Sequence, residues 1–102
     1  MRVVVLPFVE AKINAFYDAA MINHPLLSEE TVMKKKERMI ASLQILQSTQ
    51  GFQRARINRL WIEHGWRELI VEGFHFAFEV VKDKTGEKLV LVHDVEHSLL
   101  YH

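Results

Sequence analysis

The chain has 102 residues, of which 49% are hydrophobic and 25% are charged, a composition typical of one globular domain with a single core. Thirteen basic residues balance thirteen acidic ones, so no overall field draws the chain to nucleic acid, and the absence of cysteine excludes disulfide and thiolate chemistry. No apolar run approaches the ~20 residues of a membrane span or resembles a signal peptide, so we expect a soluble, cytoplasmic protein without a membrane partner.

The first part of the chain predicts a strand followed by a helix. Residues 2–6 form a short β-branched run, and Pro7 suits the first turn of a helix, where its missing N–H is not needed. Apolar residues then recur at helical spacing, at Val9, Ile13, Phe16 and Ala20. Because Pro25 disfavours helix at the residue before it, we expect this helix to end near Asn23.

A second amphipathic helix is predicted to begin after Ser28. A serine followed by two glutamates is typical of an N-cap with carboxylates in the first turn, where the helix dipole favours them. The charged run of residues 34–38 lies mostly opposite the apolar positions, which indicates a solvated face. The helix is predicted to close around Thr49, before Gly51. Two consecutive helices with a short link predict an antiparallel hairpin.

The second half of the chain predicts a loop and then three strands. Residues 52–65 show no clean periodicity and indicate a loop with one short turn or strand. Residues 66–71 and 74–81 alternate with period two on either side of a Glu-Gly turn, and residues 88–95 follow a second polar turn. In the middle strand one face carries Phe74, Phe76, Phe78 and Val80, and the other carries His75, Ala77 and Glu79.

These elements predict a single α+β domain over residues 1–102, in the order β-α-α-β-β-β. We expect a small antiparallel sheet with the N-terminal helical hairpin packed on its phenylalanine face. The opposite face is expected to be uncovered and semi-polar.

Residues 93–97 read HDVEH, a string that one class of zinc peptidase uses to hold its metal. The zinc arrangement needs both histidines on one helical face. Here the string follows a strand, where His93 and His97 are ~13 Å apart, too far to clamp one ion unless a turn brings them and His102 together. We therefore expect no metal site and no cofactor.

A different set of residues could bind phosphate. Guanidinium groups hold phosphate well, and imidazoles move protons near neutral pH. The candidates are Arg54, Arg56, Arg59, Arg67, His75 and His97, if a short sheet brings them to its uncovered face. The alternative is a solvated face with scattered ion pairs, such as Arg67 with a neighbouring glutamate. Trp61 and Trp66 flank this region and either stack bases or pack in the interior.

The segments WRELIVEGFHFAFEVV and KLVLVHDVEHSLLY are similar to the end of RelE/ParE-superfamily toxins, the plasmid-stabilisation proteins of bacterial type II toxin–antitoxin modules. Residues 67–69 resemble the arginine-containing strand of that family, residues 74–78 its aromatic-Arg-x-x-Tyr strand, and residues 90–101 its last strand and tail. In the RNA-cleaving branch an arginine after the aromatic contacts the scissile phosphate; this chain has His75 there. The basic tail residue is also missing, with His97, Ser98 and Tyr101 in its neighbourhood.

The resemblance implies a toxin with a cognate antitoxin as its partner. The sequence Arg-Glu-Leu at residues 67–69 favours the ParE-like branch, which poisons DNA gyrase by protein contact and needs no catalytic arginine. One alternative is a ribosome-dependent mRNA endoribonuclease, in which Arg67 would hold phosphate and His75, His97 and Tyr101 would form the catalytic site, with Arg54, Arg56 and Arg59 on the RNA. Another alternative is a domesticated, non-toxic interaction domain. Homo-oligomers are compatible with each of these readings.

Overall fold

A computed structural model describes residues 2–44 and 54–98 of the chain. Its strands are β1 (Arg2–Val5), β2 (Arg67–Val71), β3 (Phe74–Lys82) and β4 (Lys88–His97), and its helices are α1 (Pro7–Asn23), α2 (Glu29–Leu43) and α3 (Arg59–His64). The predicted α+β class is confirmed. None of the helices in these two segments has both the length and the apolar character needed to cross a bilayer.

The first two helices begin where the sequence predicts. Pro7 opens α1, which ends at Asn23 as expected. Ser28 caps α2, because its Oγ accepts a hydrogen bond of 3.2 Å from the backbone N–H of Thr31. Within the described residues α2 runs to Leu43. The predicted end near Thr49 lies outside them.

The stretch predicted as a loop contains the short helix α3. Its N-cap is Asn58, whose Oδ1 accepts a 3.2 Å hydrogen bond from the backbone N–H of Trp61. The helix ends at Gly65, whose φ of 67° is the left-handed conformation that closes helices. At six residues α3 is too short to show a helical period, which is why its sequence reads as irregular.

The sheet is mixed, not antiparallel throughout. Its four strands lie in the order β1-β4-β3-β2, with β3 antiparallel to both β2 and β4, and β1 parallel to β4. A parallel pair needs a long connection, and the helices between β1 and β4 provide one. The pairing of β1 depends on a distant part of the chain, so no local pattern predicts it.

The main core lies between the helical hairpin and the phenylalanine face of the sheet, as predicted. Alternate residues of β3 and β4 meet the inner sides of α1 and α2, and each fully buried aliphatic or aromatic side chain here contributes about 1.5–3 kcal/mol. The buried members are Val9, Ile13, Tyr17, Val32, Met39, Leu43, Phe74, Phe76, Phe78, Val90, Val92 and Val95.

A second, smaller cluster covers part of the face predicted to be bare. Trp61 of α3 is fully buried against Ala77 of β3, with Ala55 and Trp66 beside it. The expected uncovered face is therefore partly occupied, because α3 lies over it and buries an indole that the sequence does not assign to the core.

Strand β4 carries a β-bulge at His93. Phe78 of β3 pairs with Val92, whereas the next residue of β3, Ala77, pairs with Asp94. His93 is the extra residue between them, and such an insertion reverses the alternation of side chains beyond it. After the bulge, Val95 and His97 lie on the phenylalanine face, while Asp94 and Glu96 lie on the other.

Candidate functional site

The face of the sheet opposite the phenylalanines carries acidic and histidine side chains, and we call it the polar face. Strand pairing sets Glu68 opposite Ala77, and sets Ile70 and Glu96 opposite His75 on either side. Directly paired residues of antiparallel strands project from the same face. The polar side chains that the strands place there are Glu68, His75, Glu79, His93, Asp94 and Glu96.

His75 is held on the polar face between a carboxylate and a hydroxyl group. Its Nδ1 is hydrogen-bonded to Oε1 of Glu68, and its Nε2 lies 2.8 Å from Oγ of Ser98. The residue is only 7% exposed, and the side chain of Glu68 is 14% exposed. A carboxylate at Nδ1 selects the neutral tautomer that carries its hydrogen there. The three side chains therefore form a partly buried chain in the order acid, imidazole, hydroxyl.

The turn between β2 and β3 fixes Ser98. Its backbone N–H and its Oγ–H are both 2.8 Å from the carbonyl oxygen of Gly73. Glu72 and Gly73 form the two-residue connection, with φ of 51° and 81°, the left-handed pair typical of a tight hairpin turn. The residue that follows β4 is thus attached to this turn by two hydrogen bonds to Gly73, and it also contacts His75 of β3.

His97 lies on the phenylalanine face, opposite His75. It pairs with Phe74, and its ring stacks on Phe16 of α1 with centroids 4.1 Å apart and planes 15° from parallel. Burial, and after it the charge of His75, lowers the pKa of His97 below its ordinary value of 6.5. The fit is close, because a Cβ placed on Gly73 would lie 3.0 Å from Nε2 of His97.

A second polar group lies where β4 extends beyond β1. Lys12 of α1 reaches Oδ1 of Asp94 at 2.8 Å and Oε1 of Glu96 at 3.1 Å, and the indole N–H of Trp61 donates to Oδ2 of Asp94 at 2.9 Å. Burial lowers the pKa of Lys12, but the hydrogen bonds and charges of the two carboxylates outweigh it, so the net pKa is raised. One aspartate thereby ties α1, α3 and β4 together.

Both tryptophans are packed against protein. Trp61 is fully buried. Trp66 stacks on two imidazole rings, that of His64 at 4.5 Å and 11° from parallel and that of His93 at 4.2 Å and 6° from parallel. His93 is in turn oriented by Oε1 of Glu79, 2.7 Å from its Nε2. Because one tryptophan is buried and the other is stacked on two histidine rings of the chain, the packing interpretation is favoured over base stacking.

The four candidate arginines lie before α3, in α3 and at the start of β2. Arg54 forms an isolated bridge with Arg67, Arg56 is exposed before α3, and Arg59 is the exposed first residue of that helix. Arg67 pairs with Phe78, so the two residues project from the same side of the sheet, the phenylalanine face. Along β3, Phe78 is three residues from His75, roughly 10 Å of strand rise. The structure therefore pairs Arg54 with Arg67 and does not bring Arg67 beside His75.

The proposed catalytic set does not converge on one face. His75 projects from the polar face, whereas His97 and Arg67 belong to the phenylalanine face. Tyr101 lies outside the described residues. The two histidines of HDVEH likewise project from opposite faces, since His93 contacts Glu79 and Trp66. Within residues 2–44 and 54–98, no group of three or more His, Asp or Glu side chains forms a possible metal site.

Sequence reasoning missed two partners of His75, Glu68 and Ser98. Glu68 could have been found by counting outward from the Glu72-Gly73 turn: a two-residue turn sets residue 70 opposite 75, which places Glu68 diagonally beside His75 on the same face. Ser98 could not be found in this way, because its face depends on the bulge at His93.

Comparison with known proteins identified no relative of the chain. No protein-family model matches the chain, no curated protein matches it, and no solved structure matches it. The class that the fold defines is an α+β domain with a helical hairpin on one face of a four-stranded mixed sheet.

Proposed function

We propose that the chain is the toxin component of a bacterial type II toxin–antitoxin, or plasmid-stabilisation, pair. Its fold would be RelE/ParE-like, and its action ParE-like, by contact with a target protein such as DNA gyrase in the cytoplasm. The order of a first strand, a helical hairpin and three antiparallel strands agrees with the resemblance carried by residues 66–81 and 88–101.

The observation that favours a binding toxin over a nuclease is the separation of the candidate catalytic groups. Groups that serve one reacting phosphate must lie within hydrogen-bond reach of it. His75 is enclosed by Glu68 and Ser98 on the polar face, and His97 is stacked on Phe16 at the other face. A mechanism by protein contact needs no such convergence.

The helical hairpin offers a surface for the antitoxin. A groove between α1 and α2 is lined by Ile13, Met39, Ile40 and Leu43, with Glu10 and Lys36 among its polar lining residues. Ile40 remains 59% exposed. An amphipathic segment that folds on binding can cover such a groove and place its own charges against those two side chains.

The first experiment induces the chain in a bacterial host, alone and together with the small reading frame next to its gene. Growth arrest that the neighbour relieves is the expected result. Plasmid supercoiling and mRNA 5′ ends are then measured in arrested cells. Loss of gyrase-dependent supercoiling with unchanged mRNA ends supports the binding toxin, whereas codon-phased cleavage establishes the endoribonuclease instead. Absence of arrest overturns both.

A matched pair of variants tests the antitoxin surface. Ile40→Glu places a charge in the groove and is expected to weaken rescue by the neighbour while arrest persists, because a buried unpaired carboxylate is costly at an interface. Ile62→Glu is the control: it is 47% exposed but lies on α3, on the other side of the sheet. Equal rescue of the two variants contradicts the hairpin as the docking surface.

A further inference from the structure

The Glu68–His75–Ser98 chain has an order of groups that can activate a hydroxyl nucleophile. An acid at Nδ1 holds the imidazole in place, and the imidazole presents Nε2 to the hydroxyl. Nε2 of His75 and Oγ of Ser98 are 2.8 Å apart, within the range for direct proton transfer. Glu68 and His75 are largely shielded from water, but Ser98 retains partial exposure.

The hydroxyl hydrogen of Ser98 has two acceptors, and the protonation of His75 decides between them. When the imidazole is neutral, Glu68 accepts from its Nδ1–H, and the lone pair on Nε2 can accept from Ser98. When the imidazole is protonated, Nε2–H donates to Oγ instead, and the hydroxyl turns to the carbonyl oxygen of Gly73 at 2.8 Å. The same carbonyl binds the Ser98 backbone N–H, so Oγ keeps its position in both states.

We propose that Ser98 is a base-assisted nucleophile that accepts an acyl group from small activated carboxylic esters. Oγ forms a bond to the ester carbonyl carbon while its proton passes to Nε2 of His75. The bond from that carbon to the leaving oxygen then breaks, and the departing alkoxide or phenoxide takes the proton from Nε2. The products are an acyl-serine and the free alcohol or phenol. Glu68 is a positioning residue that acts through His75.

Charged neighbours favour a neutral ester. Glu96 faces His75 from β4 and is held by Lys12 at 3.1 Å, so its charge is partly matched. His97 lies behind the sheet, and its pKa is lowered by burial and by His75. Glu68 and Glu96 would repel an anionic ester, whereas they do not repel a neutral one.

The experiment uses the full-length chain and p-nitrophenyl acetate, with acetyl groups located by peptide mass spectrometry. Ser42, exposed on α2, serves as an internal reference. A positioned base typically contributes ~10²–10⁴-fold, so acetylation of Ser98 is expected to be about a hundredfold faster than that of Ser42. Equal rates at the two serines, or the same preference in urea-unfolded protein, overturn the proposal. Both measurements use the unmodified chain, so they stand even if a variant fails to fold.

Variants then separate a base from a merely structural histidine. His75→Gln is expected to reduce acetylation of Ser98 to the level of Ser42, whereas the control His93→Gln, whose native partner is Glu79, leaves it unchanged. Glu68→Gln is expected to change the pH profile of acetylation and Glu68→Asp to restore it. An unchanged profile in Glu68→Gln shows that the carboxylate does not act through His75. This inference and the proposed toxin function fail independently, since one is read from Ser98 and the other from growth arrest.

Discussion

Replacement of Trp61 by phenylalanine tests whether α3 is anchored to the polar face as the structure describes. The change removes the indole N–H, which donates to Oδ2 of Asp94 at 2.9 Å, and a hydrogen bond to a charged group contributes about 1.5–3 kcal/mol. The smaller ring also leaves a cavity that costs roughly 1 kcal/mol. Lys12 still balances the carboxylate, so we expect a total loss near ~3 kcal/mol, a large part of the ~5–15 kcal/mol of a typical domain.

The assay is urea and thermal unfolding followed by far-UV circular dichroism. A loss near ~3 kcal/mol lowers the melting temperature by about 12–24 °C in a domain of this size. Ile62→Ala is the matched control, because it changes the exposed side of the same helix and is expected to stay within ~0.5 kcal/mol. A second variant, Asp94→Ala, completes a double-mutant cycle with Trp61→Phe.

The cycle gives the result that would refute the reasoning. If Trp61 and Asp94 interact as the 2.9 Å distance indicates, the two substitutions are non-additive, with a coupling energy of about 1 kcal/mol or more. Additive effects, within ~0.5 kcal/mol, would mean that the indole does not touch the carboxylate and that α3 is not held by it.

Three further predictions concern the turn and the polar side chains near it. Gly73→Ala is expected to destabilise the fold by at least ~1 kcal/mol more than Gly65→Ala, as measured by urea unfolding. Both glycines have a positive φ, which costs an alanine ~1–2 kcal/mol, but only a Cβ at Gly73 would lie close to His97. Because the pKa of His97 is lowered in the folded state, the unfolded chain binds more protons, and stability falls as the pH drops from 6.5 towards the folded pKa. His97→Phe is expected to flatten this part of the curve of urea midpoint against pH. Because the pKa of Lys12 is raised in the folded state, its stabilising contribution is complete below pH 10.5 and is lost as the pH rises through the folded pKa. Lys12→Met is expected to lower the free energy of unfolding by about 1 kcal/mol at neutral pH. The loss is smaller in high salt, which screens the charges near Asp94.

Local patterns predict much of this fold. The limits of α1 follow from Pro7 and Pro25, the start of α2 from Ser28, and the phenylalanine face from strict alternation in β3. Each of these signals acts over a few neighbouring residues, so one sequence is sufficient to reveal it. The helix α3 also had local signals, Asn58 at its start and Gly65 at its end, but six residues give no periodicity to support them.

The part of the polar face that β4 contributes could not be predicted, because it depends on one inserted residue. Uninterrupted alternation along β4 from Val92 would place Asp94 and Glu96 on the phenylalanine face, and would place His97 on the same face as His75. On that counting the two histidines would share a face, as the expected phosphate site requires. The bulge at His93 reverses it and moves His97 to Phe16.

Energies explain why the bulged arrangement is favoured. Without it, two carboxylates would enter an apolar core at a cost of several kcal/mol each, and Val95 would leave that core. The bulge leaves one strand residue outside the regular ladder, which costs about 1 kcal/mol if its hydrogen bond is lost. With it, Asp94 reaches Trp61 and Lys12, and Ser98 reaches His75. The acid–imidazole–hydroxyl chain thus follows from the need to keep carboxylates out of the phenylalanine core, and deletion of His93 should remove it.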